Sequence, residues 1–386
     1  MTKAPANELI YQWHEDVEDL DGYRLGGYHP VHIGDVYSNE RYQIVHKLGF
    51  GSYSTIWLAR DLHLNRYVAL KIVVARVSGE SSESRILRHL RRTMGGDSDS
   101  FITSFRGEFY IDGPNGRHLC LVTEPAACSI ADSKEASLKW MFPLEIARAT
   151  SVQSILALQA LHSNGVIHGD LYTKNLLLTL PDIYQMSTDD IYHRFLPPHK
   201  TEVERYDGQP IGPKAPRYSV WPADTVTASD KVSDPRIRIC DFGAAWLHSD
   251  PPKEDLQTPV VFLPPEATFA KDQLGFPADI WTLACSLYEI LGERPLFECV
   301  LPDVDYIIAE MVSCLGLLPR PWWDAWKARD EFFAEDVSWR TDMTRIHDSK
   351  SRPLLLRIQQ NGRKDSEFSA VELESLEKML RAMLGI

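Results

Sequence analysis

An α+β fold in two lobes, a small β-rich lobe followed by a larger helical one, is what the sequence predicts, on three observations. Between Tyr42 and Val73 the chain runs as short, β-branched, alternating segments separated by glycine or polar turns, the pattern of a strand meander. After Pro143 the apolar period changes to that of helices. A length of 386 residues is too great for one simple core and suits about two. Strands collected in one part and helices in another segregate into separate layers, and a cleft between two lobes is a usual place for a ligand.

The elements follow in chain order. Residues 1–21 are acidic with little apolar periodicity and read as a mobile lead-in; the first lobe is expected over 22–125 and the second over 126–386. Tyr42-Gln-Ile-Val45, Thr55-Ile-Trp-Leu-Ala-Arg60 and Tyr67-Val-Ala-Leu-Lys-Ile-Val73 are strands, and His118–Thr123 is another. Ser82–Leu90 reads as a helix with Ile86, Leu87 and Leu90 on one face. Glu145–His162 sets Val152, Ile155 and Leu156 at helical spacing. Ile280, Leu283, Ala284, Leu287, Ile290 and Leu291 form a longer stripe, with Asp279 before it as an N-cap. From about Leu180 to Pro235 the chain is rich in Pro, Asp, Tyr and Ser without sustained period, and is expected to be an irregular or disordered insertion.

Composition narrows the function classes. With 44% hydrophobic and 25% charged residues the chain is an ordinary soluble globular one. A net charge of -13 argues against a nucleic-acid or anionic-membrane surface and is compatible with basic protein partners. The six cysteines form no C-x-x-C pair, which speaks against a disulfide framework or zinc site and for a reducing compartment. The N-terminal stretch lacks the apolar core of a signal peptide, and no run approaches a membrane span, so a cytoplasmic or nuclear setting is expected.

Three motifs could carry chemistry. Leu48-Gly49-Phe50-Gly51-Ser52-Tyr53-Ser54-Thr55-Ile56 lies between two strands, where glycines let a turn close over a triphosphate with backbone N–H groups facing its oxygens. A plain hairpin turn fits the same letters equally well, and Ser54 stands where a third glycine would be usual. About twenty residues on, Val68-Ala69-Leu70-Lys71 puts Ala69 and Lys71 on one face of a strand. Ala69 leaves room for a flat base and Lys71 brings an ammonium toward phosphates; Glu83 is a candidate to hold that ammonium, and Glu80 competes with it.

Most specific is Val166-Ile-His168-Gly169-Asp170-Leu-Tyr-Thr-Lys174-Asn175-Leu-Leu-Leu, followed much later by Ile239-Cys-Asp241-Phe-Gly243. An Asp five residues before an Asn, flanked by apolar strands, fits a loop holding a general base, Asp170, and a metal ligand, Asn175. Asn175 and Asp241 offer hard oxygens suited to Mg²⁺. Each piece alone is better read as a turn or polar loop; the whole ordered set is not.

Together these strings resemble the protein-kinase signature set, with Pro264-Pro-Glu266 and Asp279-Ile-Trp281 as its later markers. The resemblance implies a bilobal protein-kinase fold, ATP and Mg²⁺ as cofactors, and a protein substrate. It assigns Glu124 to Ala126 as the hinge that meets adenine, with Thr123 as gatekeeper. Within kinases, Tyr23-Arg-Leu-Gly-Gly-Tyr-His-Pro-Val-His-Ile-Gly-Asp35, Lys47-Leu-Gly49 and Ser54-Thr55 before Ile56-Trp57-Leu58 resemble the SR-protein kinases, whose members carry a spacer between catalytic loop and Asp-Phe-Gly. That likeness covers roughly residues 22–386. It implies a monomeric serine/threonine kinase that phosphorylates basic, Arg/Ser-rich proteins and makes no direct contact with nucleic acid or membrane.

Departures from the pattern qualify this. Gly169 replaces the Arg of His-Arg-Asp, which implies activity without activation-loop phosphorylation, as in the SR-protein kinases. Tyr172 stands where most serine/threonine kinases place a lysine, and Lys174 is the alternative partner for the γ-phosphate. Gln257-Thr-Pro-Val-Val-Phe-Leu263 lacks the family's basic, tyrosine-containing substrate segment. The helix at Leu376–Leu384 resembles the one before the last kinase segment, so the arginine that would pair with Glu266 is expected to be missing and the C-lobe to end early: either the sequence is a fragment or the C-lobe is less well braced than its relatives. Two other readings fit parts of the chain: a pseudokinase scaffold, from Ser54 and Tyr172, and a small-molecule kinase of aminoglycoside or choline type, from His168-Gly-Asp-Leu-x-x-x-Asn175. Trp322, Trp323 and Trp326 suit a buried helix or a partner surface. The acids Asp324, Asp330, Glu331, Glu335 and Asp336 suit a docking groove for basic peptides or a solvated face.

Overall fold

Period-2 patterning in the first part of the chain builds a sheet with two unlike faces. A computed structural model describes residues 9–79, 81–94, 101–180, 183–251, 253–299, 301–340, 351–364 and 368–385. The chain divides into two units. Unit 1 comprises Met1–Gly96, Thr103–Ala127 and Thr179–Thr225; unit 2 comprises Asp97–Ile102, Cys128–Leu178 and Val226–Ile386.

Unit 1 is a six-stranded antiparallel sheet of β1 (Val36–Tyr37), β2 (Tyr42–Gly51), β3 (Ser54–Asp61), β4 (Arg66–Val73), β5 (Phe105–Gly113) and β6 (Gly116–Thr123) in the order β1-β2-β3-β4-β6-β5. Alternation sends Trp57, Ala59, Val68, Leu70, Ile72, Cys120 and Val122 into one core. Leu58 and Tyr67 face the other way and join Val45 in a second cluster. The helix α1 (Ser82–Thr93) starts at Ser81, whose side chain accepts the Ser84 N–H, and buries Ile86, Leu87 and Leu90 together with Glu83. These elements match the strands and helix expected from periodicity.

Two expectations for this part are corrected. The 180–235 insertion is not irregular throughout. It holds a helix, Thr188–Phe195, begun by a reciprocal Ser187–Asp190 capping box, and an antiparallel pair, Lys200–Glu202 with Tyr218–Val220. As far as Thr225 it belongs to unit 1 rather than to the helical part. Ile191 and Phe195, one turn apart, pack with Ile183 and Ala223 on Val45, Leu58 and Tyr67, while Val220 joins the opposite core. Its few apolar side chains thus find partners far away in sequence, which local composition cannot register. The N-terminal lead-in is likewise partly packed: Leu9, Ile10 and Trp13 are exposed, but Tyr11 and Leu20 are buried with Tyr23, Tyr28, Val203 and Ala215, and Tyr11 bridges Arg205. Residues 1–8 lie outside the described residues.

Unit 2 is helical, with Leu144–Ser163 packed on Phe276–Leu291, and Val304–Leu315 and Ala370–Met383 following. The first helix buries Ala147, Thr150, Ser151, Ser154, Ala157, Leu158 and Leu161. Its expected apolar stripe, Val152, Ile155 and Leu156, is instead exposed. Small residues allow close approach between backbones, so they take the packed face. Asp279 is not an N-cap: the helix begins at Phe276 after Gly275, and Asp279 is buried inside its first turn. Trp326 is buried with Phe332, Phe333, Ile308 and Leu318, with Trp322 and Trp323 packed against them, which favours the core reading of these tryptophans.

Candidate active site

The chemistry-bearing residues fall in both units, and each set is built by its own local structure. In unit 1, β2 and β3 are joined at Gly51 and Ser54, with Ser52 and Tyr53 exposed at the turn. Nothing stands within 4 Å of where a Cβ on Gly49 or Gly51 would lie, and neither has a positive φ. These glycines therefore serve open space beside the backbone, as a phosphate cradle requires. Ser54 and Thr55 are buried, Phe50 is exposed, and Ile56 is half-buried. Leu48 is half-buried and packs on the Ile191 and Phe195 cluster.

β4 places Ala69 opposite Leu58 and Thr123, and Lys71 opposite Ile56 and Leu121, so the alanine and the lysine share a face. From α1, Glu83 reaches Lys71: the Nζ lies 2.9 Å from one carboxylate oxygen and 2.8 Å from the other. Both side chains are largely shielded, at 19% and 10% exposure, so the pair fixes the ammonium far more firmly than a surface ion pair would. Glu80, the competing candidate, lies outside the described residues. Glu124 follows β6 directly, its N–H donating to the Ser104 carbonyl, and Ala126 is half-buried two residues on.

In unit 2 the loop after Val166–Ile167 carries Asp170. Asp279 holds that loop by accepting the N–H groups of His168 and Gly169, both at 2.8 Å, and also binds His162 Nε2 at 2.9 Å. His168 donates from Nε2 to the Cys240 carbonyl (3.0 Å) and accepts the Asp170 N–H at Nδ1 (3.3 Å), tying the loop to the residue before Asp241. Asn175 donates from Nδ2 to the Asp170 carbonyl (2.7 Å) and to its Oδ2 (3.0 Å), and its own carbonyl accepts the Cys240 N–H. Asp170 Oδ1 is buried without a hydrogen-bond partner among the described residues. Burial is the largest influence on this carboxyl and raises its pKa; His168, the Asn175 hydrogen bond and the neighbouring Thr258 hydroxyl lower it, and the Asp241 charge raises it again.

Asp241 is exposed, with φ of 60°, and its Oδ1 accepts the Gly243 N–H. Lys174 is exposed on the 3-10 turn Thr173–Asn175. Tyr172 is half-buried against Phe262, ring centroids 5.3 Å apart. Burial, helped by the Asp170 and Asp241 charges, pushes its hydroxyl up to about 12. Among the described residues no group of three or more His, Cys, Asp or Glu could hold a metal ion by itself. An amide and a carboxylate oxygen beside an unpartnered carboxylate oxygen suit Mg²⁺, which takes few protein ligands and completes its shell with water and phosphate.

Comparison with known proteins gives the family and the fold. Residues 42–186 match the protein kinase domain family. The fold is similar to the crystal structure of the PF14_0431 kinase domain, with a TM-score of 0.63 over 93% of this chain and 94% of that one at 19% identity. A serine/threonine protein kinase of Aspergillus fumigatus is 28% identical across 81% of this chain and 78% of its own. The serine/threonine-protein kinase SRPK of Physarum polycephalum is 32% identical over 78% of this chain and 73% of its own length. The chain belongs to the SR-protein kinase family. It is a serine/threonine protein kinase with the bilobal α+β kinase fold, as the ordered motifs imply. Human SRSF protein kinase 3 is a further relative, 35% identical over 44% of this chain and 31% of its own.

One feature of the kinase was not legible in the motifs. Thr258, buried in the segment before Pro264, donates to the Gly169 carbonyl at 3.1 Å and so ties that segment to the catalytic loop. Glu266 has no ion pair among the described residues, and burial raises its pKa. Asp324 and Asp330 stand close to Arg320 and Arg329, so part of the proposed acidic surface already has cationic neighbours.

Proposed function

We propose that this kinase phosphorylates serines in Arg/Ser-rich protein segments, with ATP and Mg²⁺ as cofactors and Asp170 as the base that receives the hydroxyl proton. The observation that carries the base assignment is the asymmetry of Asp170: Asn175 holds Oδ2, while Oδ1 is buried and has no hydrogen-bond partner among the described residues. A substrate hydroxyl donating to Oδ1 would satisfy it and be aligned for attack. Lys71, fixed by Glu83, and the backbone of Leu48–Ile56 would hold the phosphates. Ala69 would leave room for the base, Glu124 and Ala126 would meet it through backbone groups, and Asn175 and Asp241 would hold the metal ion. Bound ATP supplies the γ-phosphoryl group and Mg²⁺ supplies countercharge. Lys174, between Asp170 and Asn175, is the cation proposed for the γ-phosphate in place of the lysine that Tyr172 displaces.

The substrate class rests on relatives whose names are those of SR-protein kinases, and on the net charge of -13, which suits a basic partner. A monomer in cytoplasm or nucleus goes with this reading, as do six free cysteines. The deciding experiment is radiolabelled phosphate transfer to an Arg-Ser repeat peptide and to a scrambled, Arg-poor one. Strong preference for the repeat is expected; equal labelling would remove the substrate assignment and leave the kinase activity intact.

A further inference from the structure

Three side chains buried beside the glycine-rich hairpin form a charged cluster that the catalytic reading does not use. Glu18, Tyr23 and Lys47 are exposed by only 3%, 3% and 0%. The Glu18 carboxylate accepts from both Lys47 Nζ and the Tyr23 hydroxyl. An ion pair this deep gives up its hydration on both sides and is weak evidence for stability, since apolar residues of similar volume often do as well. What it does secure is geometry.

Lys47 immediately precedes Leu48-Gly49. Its ammonium lies 5.1 Å from the centre of the Phe50 ring and 5.7 Å from that of Trp57, within cation–π range of both. A few residues along the same N-terminal segment, the Tyr28 hydroxyl donates to the Gly51 carbonyl at 2.8 Å. The Tyr28 ring packs on Tyr23, 5.5 Å between centroids, in space that exists because residue 22 is glycine: a Cβ there would come within 2.5 Å of the ring. On the far arm of the hairpin, the Tyr53 carbonyl accepts the Val74 N–H, and Arg76 stacks over the Tyr53 ring. The hairpin is thus tied at its entrance, at its second glycine and at its tip.

We infer that the segment Glu18–Tyr28 is a brace that holds the glycine-rich hairpin ready for the phosphates of ATP, with Glu18 and Tyr28 as positioning residues. The inference rests on reading that hairpin as the nucleotide cradle. Physically, a turn containing two glycines loses much conformational freedom when it closes on a ligand. Ordering it beforehand moves that loss from binding to folding, which tightens binding without new ligand contacts.

Tyr28→Phe removes the hydroxyl and keeps the ring. Glu18→Gln keeps the shape and removes the charge opposite Lys47. Gln12→Ala is the control: it cuts the exposed bond to Glu204 in the same N-terminal segment and touches nothing in the hairpin. Amide hydrogen exchange of Phe50–Tyr53 in the nucleotide-free kinase should quicken severalfold in both brace variants and stay unchanged in the control. Calorimetric Kd and steady-state KM for ATP should rise about three- to tenfold, as expected for one lost hydrogen bond, while kcat holds. Should Glu18→Gln lower the yield of folded protein, Tyr28→Phe alone decides. Unaltered exchange and Kd in Tyr28→Phe, or the same changes in Gln12→Ala, would overturn the inference. Failure of the parent protein to bind ATP would instead overturn the cradle reading, while the exchange measurement still tests the brace.

Discussion

Trp246 occupies the space that a side chain on residue 169 would need. A Cβ built on Gly169 would come within 2.4 Å of Trp246 Cζ3 and 3.1 Å of the Ala244 carbonyl oxygen, and Gly169 has φ of 73°, in the left-handed region. The position that carries arginine in most protein kinases is therefore closed here twice over, by backbone conformation and by an indole. Nothing at this position can answer an activation-loop phosphate.

Gly169→Arg accordingly should not create a phosphate-regulated enzyme. The positive φ and the displaced indole together should cost about 2 kcal/mol or more, seen as a lower Tm in thermal denaturation. Transfer activity should fall with it, because the His168 and Gly169 N–H groups that Asp279 holds are part of the same turn. A variant as stable as the parent would show that Trp246 moves aside freely.

Asp170→Asn separates catalysis from stability. Transfer should drop by a factor of about 10²–10⁴, the usual share of a general base. Calorimetric ATP binding should persist, because the lost group acts on the hydroxyl. The folded-state pKa of Asp170 is raised, chiefly by burial. Whatever stability its protonated form contributes is therefore present below its unfolded pKa and lost as pH rises through the folded one. At neutral pH the ionised side chain is thus a burden on folding, and the neutral amide should raise Tm. The acid limb of kcat in the parent should lie above the ordinary aspartate range, activity falling as pH drops through it.

Breaking the Lys71–Glu83 pair should be felt unequally from its two ends. Lys71→Met leaves a buried carboxylate without its ammonium, so it should lower Tm as well as abolish measurable transfer. Glu83→Gln leaves Lys71 partly solvated and able to keep one hydrogen bond, so its main effect should be a raised KM for ATP. A double-mutant cycle in Tm should show coupling of about 1 kcal/mol or more. Strict additivity would mean that the pair holds nothing in place.

Phe195→Ala tests whether the insertion belongs to the β-rich unit. Phe195 is 5% exposed and shares a cluster with Val45, Leu58 and Tyr67 of the sheet. Truncation should cost about 3 kcal/mol, the low end for a buried phenylalanine, and lower Tm by several degrees. A shift of under a degree would mean that the helix Thr188–Phe195 sits on the sheet without supporting it.

What the sequence determined by itself was the kind of chemistry and the local elements that bear it. Lys71, Asp170, Asn175 and Asp241 could be picked out as candidates because each lies in a short string whose letters answer a nearby backbone requirement, and strand alternation was enough to put Ala69 and Lys71 on one face. Tertiary structure decided the rest. That Glu83 closes on Lys71 depends on how α1 lies against the sheet. That Asp279 grips the catalytic loop rather than capping its own helix depends on a contact across more than a hundred residues. The same holds for Trp246 against Gly169, and for the polar stretches at 9–21 and 183–225, which local composition marked as loose. Their isolated apolar side chains, and Glu18 among its acidic neighbours, are buried by distant partners. Periodicity reports what a segment can do along its own axis; burial depends on what the chain brings against it.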